Sequence, residues 1–474
     1  MIKKIFLVFK THFDFGFTNL AQKVLEQYSG QMLQDIIHAC VDTAELGGVR
    51  FVFTLPAWPL QQMLNSGQQK QTLERLIRQG QVVWHALPFT SHTDFAGIED
   101  MVDGFKYARR LSEAYGKPVP VSAKLTDVPG HGLILPALLA GAGVKFLHLG
   151  CNEYAMPPSV PPLFFWQAPD GSRVLTMYYK DGYGDGLLLP EDWPFPVWMA
   201  MLHTHDNSGP QSPAEIRRLV EEVQAKAPGV EVVSGSMDDF YRELAQCDLS
   251  GLPVVTQDLA DTWIHGIGSY PKEVGMVRAA RRQLLWAGAA AALSQTGAAP
   301  LARPALAAVG AGTDAAFEQL AMFDEHTWGL DVKTWMQRPR VYGKKEFLAK
   351  KETEEYRYME ASWQEQKSRA TQGLALASKT LYGAMEGQQL SVLNPGAQPF
   401  TGWAEVEGGQ IALPTVLVFG RPHVFVQNLP PLSVTPLAPP PAAAGPELVQ
   451  NGEEAVFQNH RYRVCFSPAT GLVS

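Results

Sequence analysis

The feature that most constrains this chain is a run of five apolar residues near its start, Ile5-Phe6-Leu7-Val8-Phe9, with no polar side chain among them. A strand with one solvated face alternates apolar and polar residues. A continuous run belongs to a strand covered on both faces, as in parallel sheets. Similar short runs recur at Phe51-Val52-Phe53, Val82-Val83-Trp84, Ser122-Ala123-Lys124-Leu125, Lys145-Phe146-Leu147-His148, Val230-Glu231-Val232-Val233 and Pro253-Val254-Val255. Helical patterns lie between most of them, for example Leu20 to Leu46, stopped by Gly47-Gly48, and Pro213 to Ala227. Repeated strand–helix alternation predicts an α/β domain over residues 1–271, an irregular (β/α) barrel of about seven parallel strands.

From Lys272 the character changes. Ala, Leu, Gln, Arg and Glu dominate as far as Gly373, and three helical stretches can be read, the last running from Lys344 to Ala370 with many charges. This predicts a small helical bundle over 272–375. After Leu390, β-type runs such as Thr415-Val416-Leu417-Val418 and Val424-Phe425-Val426 alternate with Pro and Gly, and Pro436 to Pro446 reads as a Pro/Ala-rich linker. A β-rich region over 385–474, the start of a β-sandwich, is expected.

Composition narrows the partners. The net charge of −8 is scattered, and no basic cluster exists for nucleic acid or an anionic membrane. No apolar stretch approaches the roughly 20 residues of a membrane span, and the run at Ile5 to Phe9 is too short for a signal-peptide core. The four cysteines are far apart in sequence, which argues against a thiolate zinc site and fits a reducing compartment. A cytoplasmic protein is expected, with a homo-oligomer left open.

Residues that could do chemistry fall at the ends of the expected strands. His12 and Asp14, in Thr11-His12-Phe13-Asp14, are spaced so that an extended chain points both the same way, as a cation would need. A solvated turn is the plainer alternative. Asp127, in Leu125-Thr126-Asp127-Val128-Pro129-Gly130-His131, stands where barrels place catalytic groups, although it could simply cap the next helix. His85, His92 with Asp94, and His205-Asp206 follow other strands; each alone is ordinary loop polarity, but together they mark one rim. Asp261 precedes Trp263, His265 and Gly266 in a Gly-rich loop suited to stacking on a sugar ring or merely to entering the bundle. His326, in Asp324-Glu325-His326-Thr327-Trp328, lies between two bundle helices and matters only if the bundle packs on the strand ends.

Taken together these segments resemble glycoside hydrolase family 38, the α-mannosidase family, and look closest to a divergent branch of it. The resemblance runs over about residues 1–375. It implies a cation held by His12 and Asp14, matching the family's His-x-Asp, by Asp127, matching its Asp-x-x-Gly-His, and by His326. It also implies that Asp127 is the nucleophile and that Asp261, five residues before Gly266, is the acid/base. Tyr270 replaces the family's Arg, Thr327 follows His326 where the family has Asp, and Val128-Pro129 replaces an aromatic before the Gly. Family members continue beyond the β-rich tail, so a shortened chain is expected.

The activity implied is a metal-dependent retaining glycosidase, α-mannosidase-like, on a carbohydrate substrate. The cofactor is one divalent cation: zinc fits, and the oxygen-rich shell also admits manganese or cobalt. Substrate contacts are expected from Trp58, Trp263 and Trp328, with His92, Asp206 and His265. The competing readings are a metal-dependent carbohydrate deacetylase and a non-catalytic carbohydrate-binding relative.

Overall fold

The apolar run at Ile5 to Phe9 forms the middle of β1 (Lys4–His12), buried from Ile5 onward. The structure, a computed structural model, describes residues 2–43, 49–184, 186–187, 190, 192–263, 266–296, 306–331, 343–386, 390–406, 415–418, 420–437, 447–451, 454–458, 463–467, 470 and 473. His265, the Gly47-Gly48 stop and residues 438–446 of the expected linker lie outside them.

The strands that follow are β2 (Phe53–Leu55), β3 (Val82–Trp84), β4 (Ser122–Thr126), β5 (Gly130–His131), β6 (Phe146–Gly150), β7 (Leu163–Gln167), β8 (Arg173–Tyr179), β9 (Val197–Asp206), β10 (Glu231–Ser234), β11 (Val254–Val255) and β12 (Leu259–Ala260). β1 pairs with β9 along one edge from Lys4 to His12; its other edge is shared by β10 at Lys4 to Leu7 and β2 at Phe9 to Lys10, and β3 follows β2. All these pairings are parallel, which is why β1 carries no polar alternation. The second sheet has the order β11-β7-β8-β6-β4 and is parallel except for β7 against β8.

The parallel α/β architecture is thus the expected one, but the described pairings form two five-stranded sheets and not one closed ring. The two sheets are joined after β3 by a backbone hydrogen bond from Ala86 N–H to the Ser122 carbonyl, 2.9 Å. Closure elsewhere would need β9 on the free edge of β8. That edge is taken by β7, which runs antiparallel.

The helical stretch after β1 spans Ala21–Gln27, a π-helical turn Tyr28–Met32 and Leu33–Asp42. Pro213–Lys226 starts as its sequence dictates: the Ser212 hydroxyl accepts from Glu215 N–H, and Pro213 sits in the first turn, where its missing N–H costs nothing. Further on, helices Pro271–Thr296, Leu306–Asp324, Lys344–Lys350 and Glu354–Ala384 are present. The expected helix from Lys344 to Ala370 is broken at Lys351–Thr353, where Thr353 Oγ1 accepts from Tyr356 N–H and so starts a new helix.

The chain divides into two compact units, residues 1–285 with 310–380, and residues 286–309 with 381–474. In the second, the strands from Ser391 onward pair antiparallel in small sheets. No described helix is long and apolar enough to cross a membrane.

In the first unit, Val277, Ala280, Leu284, Phe317, Leu320 and Phe323 share an apolar cluster with Ala370 and Ala377. Beside it Arg281 is buried between two carboxylates. It donates to Asp100, to Asp324 Oδ2 at 2.7 Å and to the Phe95 carbonyl at 2.9 Å. Both carboxylates are about 2% exposed, so neither can recover water if the guanidinium goes. Arg281→Leu is therefore expected to cost about 3–5 kcal/mol, read as a lower urea midpoint. An unchanged midpoint would show that the ion pairs hold nothing.

Candidate active site and metal centre

Three segments distant in sequence deliver side chains to one point. β1 ends in His12, and the chain turns so that Asp14 is also buried, each about 1% exposed. Asn207 fixes that turn: its Oδ1 accepts from Asp14 N–H at 3.0 Å, its Nδ2 donates to the Asp14 carbonyl at 2.8 Å, and its own N–H donates to the His12 carbonyl. Asn207 does this from φ +50°, a left-handed conformation that Asn tolerates better than most residues.

Asp127 follows β4 directly and also adopts a left-handed backbone, φ +62°. Such strain persists only where surroundings hold it, and it gathers at functional sites. Asn152, just past β6, holds Asp127 by donating from Nδ2 to Oδ1 at 2.7 Å.

His326 arrives from the helical segment. A single antiparallel bridge pairs Ser91 with Glu325, and His92 N–H donates to the Asp324 carbonyl at 2.8 Å, so the segment is pinned to the loop after β3. His92 Nε2 donates to the His326 carbonyl at 3.0 Å.

The resulting geometry is compact. His12 Nε2 and His326 Nε2 are 3.0 Å apart. Asp14 Oδ1 lies 3.0 Å from the first and 3.2 Å from the second, and Asp127 Oδ2 lies 3.6 Å from His326 Nε2. Although close, Asp14 Oδ1 makes no hydrogen bond of proper geometry. Four donors around a cation at 2.0–2.1 Å would be about 3.3 Å apart in a tetrahedron. The donor set therefore fits a divalent cation: two imidazoles and two carboxylates, buried, with an orphaned oxygen aimed at their centre. His12, Asp127 and His326 can offer their ligand atoms together, as can His12, Asp14 and Asp206.

Burial alone would raise the Asp127 carboxyl, but His326 and His12, with Asn152, outweigh it and hold it below the ordinary range. Burial raises Asp14 likewise, and His12 and His326 reverse it. Burial opposes the charged form of His326, and Glu325, Asp127 and Asp14 overcome it, so its pKa lies well above that of a free imidazole.

Glu325 had no role in the sequence reading. Its Oε1 is 2.7 Å from His326 Nδ1, and its Oε2 accepts from Thr327 N–H at 3.0 Å and from the Thr327 hydroxyl. The pair is close but not aligned as a hydrogen bond; a carboxylate behind a ring favours the proton on Nδ1 and leaves Nε2 to bind a cation. Glu325→Gln is expected to weaken cation affinity roughly 10–100-fold, measured by chelator competition; an unchanged affinity would remove Glu325 from the centre.

Of the four converging side chains, His12 and Asp14 are buried, while Asp127 and His326 beside them line an open cavity of about 630 Å³, together with Asp206, His92, Trp263, Trp328 and others. That is the size range of small-molecule sites. Asn152 and Tyr183 also line it, and the Tyr183 ring packs 4.8 Å from that of His12. Asn152 could have been found from its place after a strand; nothing in sequence marked Tyr183. Trp328 packs over Gly266, where a Cβ would come within 2.8 Å of the indole, and against Tyr270.

One expected substrate contact lies in the core, and one expected catalytic residue sits beside the cavity and not on its wall. Trp58 is 3% exposed and packs among Phe13, Phe15 and Phe89, with its Nε1 donating to Glu318 at 2.9 Å. It is a core residue because the helix Ala57–Asn65 turns that face inward. Asp261 is not among the residues lining the cavity. Its N–H donates to the Pro129 carbonyl, its Oδ1 accepts from Trp263 N–H at 2.7 Å, and its Oδ2 lies 3.5 Å from the Cys151 thiol.

Residues 3–233 match the family model described as Glycosyl hydrolases family 38 N-terminal domain, and residues 305–406 match one described as Domain of unknown function (DUF5054). No curated protein matches the chain. Among solved structures, an alpha-mannosidase from Enterococcus faecalis V583 is similar at 14% identity and a TM-score of 0.62, covering 99% of this chain and 61% of its own. A protein in the Glycosyl Hydrolase Family 38 from Enterococcus faecalis is similar at 12% identity and a TM-score of 0.57, covering 100% of this chain and 60% of its own. The chain thus spans less than two thirds of the length of either.

Proposed function

We propose, from the premise that this chain is glycoside hydrolase family 38-like, that it is a cation-dependent retaining glycosidase, α-mannosidase-like, with Asp127 as nucleophile. The observation that carries the reading is the convergence of His12, Asp14, Asp127 and His326, of which Asp127 and His326 line an open cavity.

A bound cation, zinc in the simplest case, would hold sugar hydroxyls and favour the ionised carboxylate of Asp127. The chain's own residues do the rest. Asn152 occupies Asp127 Oδ1, which leaves Oδ2 facing the centre. Oδ2 attacks the anomeric carbon as the bond to the leaving oxygen breaks, and a covalent glycosyl–Asp127 ester forms. Asp261 protonates the leaving oxygen and then takes a proton from the water that cleaves the ester, so configuration is retained.

The neighbourhood supports pairing these two carboxyls. Adjacent residues bridge them: Cys151 contacts Asp261, and Asn152 contacts Asp127. Asp261 also hydrogen-bonds the backbone two residues beyond its partner, at Pro129. Trp263 and Trp328, both lining the cavity, would give the sugar apolar surface.

The test is trapping with a 2-deoxy-2-fluoro glycosyl donor followed by peptide mapping. The reading predicts a stable adduct on Asp127. Hydrolysis of amides or esters with no adduct would instead favour the deacetylase reading.

A further inference from the structure

We propose that the turn at Glu153 and Tyr154, on the rim of the cavity, is the subsite for the leaving group, and that the leaving group it takes is a second, neutral sugar. This rests on the glycosidase reading above and deepens it, from a glycoside of any kind to an oligosaccharide.

The starting observation is exposure. Among the large apolar side chains of the described residues, the two most exposed are Tyr154, at 77%, and Met156, at 73%. They stand two residues apart in one turn after β6, and Tyr154 lines the cavity together with its neighbour Glu153. Single exposed apolar residues are ordinary. An aromatic ring held in water on the wall of a concave site is different, because it offers a ligand a broad apolar face beside a polar tip.

The ring is displayed by a turn of fixed geometry. Asn152 Oδ1 accepts from Tyr154 N–H at 3.0 Å, and the Asn152 carbonyl accepts from Ala155 N–H at 2.9 Å. The amide of the same side chain donates to Asp127, so one residue sets both the nucleophile and the start of the rim. At the far end, Met156 N–H donates to Thr262 Oγ1 at 2.7 Å, and Thr262 N–H donates back to the Met156 carbonyl at 3.2 Å. A turn pinned at both ends has little order left to gain on binding.

These contacts also give the subsite its side. Thr262 follows Asp261, the residue assigned to protonate the leaving oxygen, and Asp261 Oδ2 lies 3.5 Å from the thiol of Cys151, the first residue after β6. The loop that carries the acid and the turn that carries Tyr154 thus form one continuous rim. The leaving oxygen must come to Asp261, so the group attached to it lies along that rim, while the sugar that joins Asp127 stays over the centre.

The lining narrows the class of ligand. The described residues on the cavity wall include five carboxylates, Asp127, Glu153, Asp181, Asp206 and Asp331, and no Lys or Arg. A leaving group bearing phosphate, sulfate or a carboxylate would meet like charge there. A neutral sugar suits the wall: its C–H face packs on Tyr154 and its hydroxyls donate to Glu153.

The experiment compares wild type, Tyr154→Ala and Tyr154→Phe on a panel of α-linked mannobioses and on α-mannosyl fluoride. The fluoride presents the same sugar to Asp127, but its leaving group has no ring to rest on Tyr154. Tyr154→Ala is expected to lower kcat/KM on the preferred mannobiose about tenfold, the scale of one lost ring contact, and to leave the fluoride within about twofold of wild type. Tyr154→Phe keeps the ring and should match wild type on both. Equal losses on both substrates, or no loss on the mannobiose, would overturn the subsite and leave the glycosidase reading standing. So would a wild type that cleaves the fluoride but none of the mannobioses. A wild type that cleaves neither would overturn the glycosidase reading and the inference with it.

Discussion

Asp127→Asn is expected to abolish glycoside turnover while the protein stays folded. Asn tolerates the left-handed backbone at φ +62°, which Ala would strain, and its Oδ1 can still accept the hydrogen bond from Asn152. The scaffold therefore has no reason to move. The variant lacks the charge, and with it both the nucleophile and one cation donor. Losing a covalent nucleophile typically costs roughly 10⁴-fold or more in kcat. The check is kcat/KM on an aryl glycoside beside a thermal melt. Near-normal turnover with a normal melt would sink the assignment of Asp127.

His326→Ala is the second large effect. Its Nε2 lies 3.0, 3.2 and 3.6 Å from ligand atoms of His12, Asp14 and Asp127. Removing it takes out a ligand outright, so cation affinity should fall beyond the roughly 100-fold expected for a lost supporting partner, and activity with it. Binding should also depend on pH with a definite sign. In the cation-free chain Glu325, Asp127 and Asp14 together hold the ring protonated against the effect of burial. A cation must displace that proton, so wild-type affinity should rise with pH and fall as pH drops. In His326→Ala this part of the pH dependence should disappear. Stoichiometric cation retained by the variant through dialysis would contradict the account.

What the sequence revealed follows from what each signal depends on. Continuous apolar runs located β1 and β3 because burial on both faces leaves a one-dimensional trace. The run Val197 to Leu202 in β9 is equally apolar, but its Met and Ala residues lack strand character, and it went unread. Missing β9 hid the register shift that sets Asp206 opposite His12, since register belongs to a pair of strands and not to either alone. Short spacing made His12 and Asp14 legible. His326 could be connected to them only through family resemblance, because the Ser91–Glu325 bridge that places it is a contact across more than two hundred residues. Trp58 shows the reverse error: an aromatic near a strand end looked available for a sugar, and the apolar cluster of Phe13, Phe15 and Phe89 claimed it.

The most direct measurement is diffraction from crystals of the zinc- or cobalt-loaded chain, recorded at the metal's absorption edge. The account predicts one anomalous peak per chain, about 2.0–2.2 Å from His12 Nε2, His326 Nε2 and carboxylate oxygens of Asp14 and Asp127. A loaded chain with no peak there, or with its ion at some other site, would contradict it.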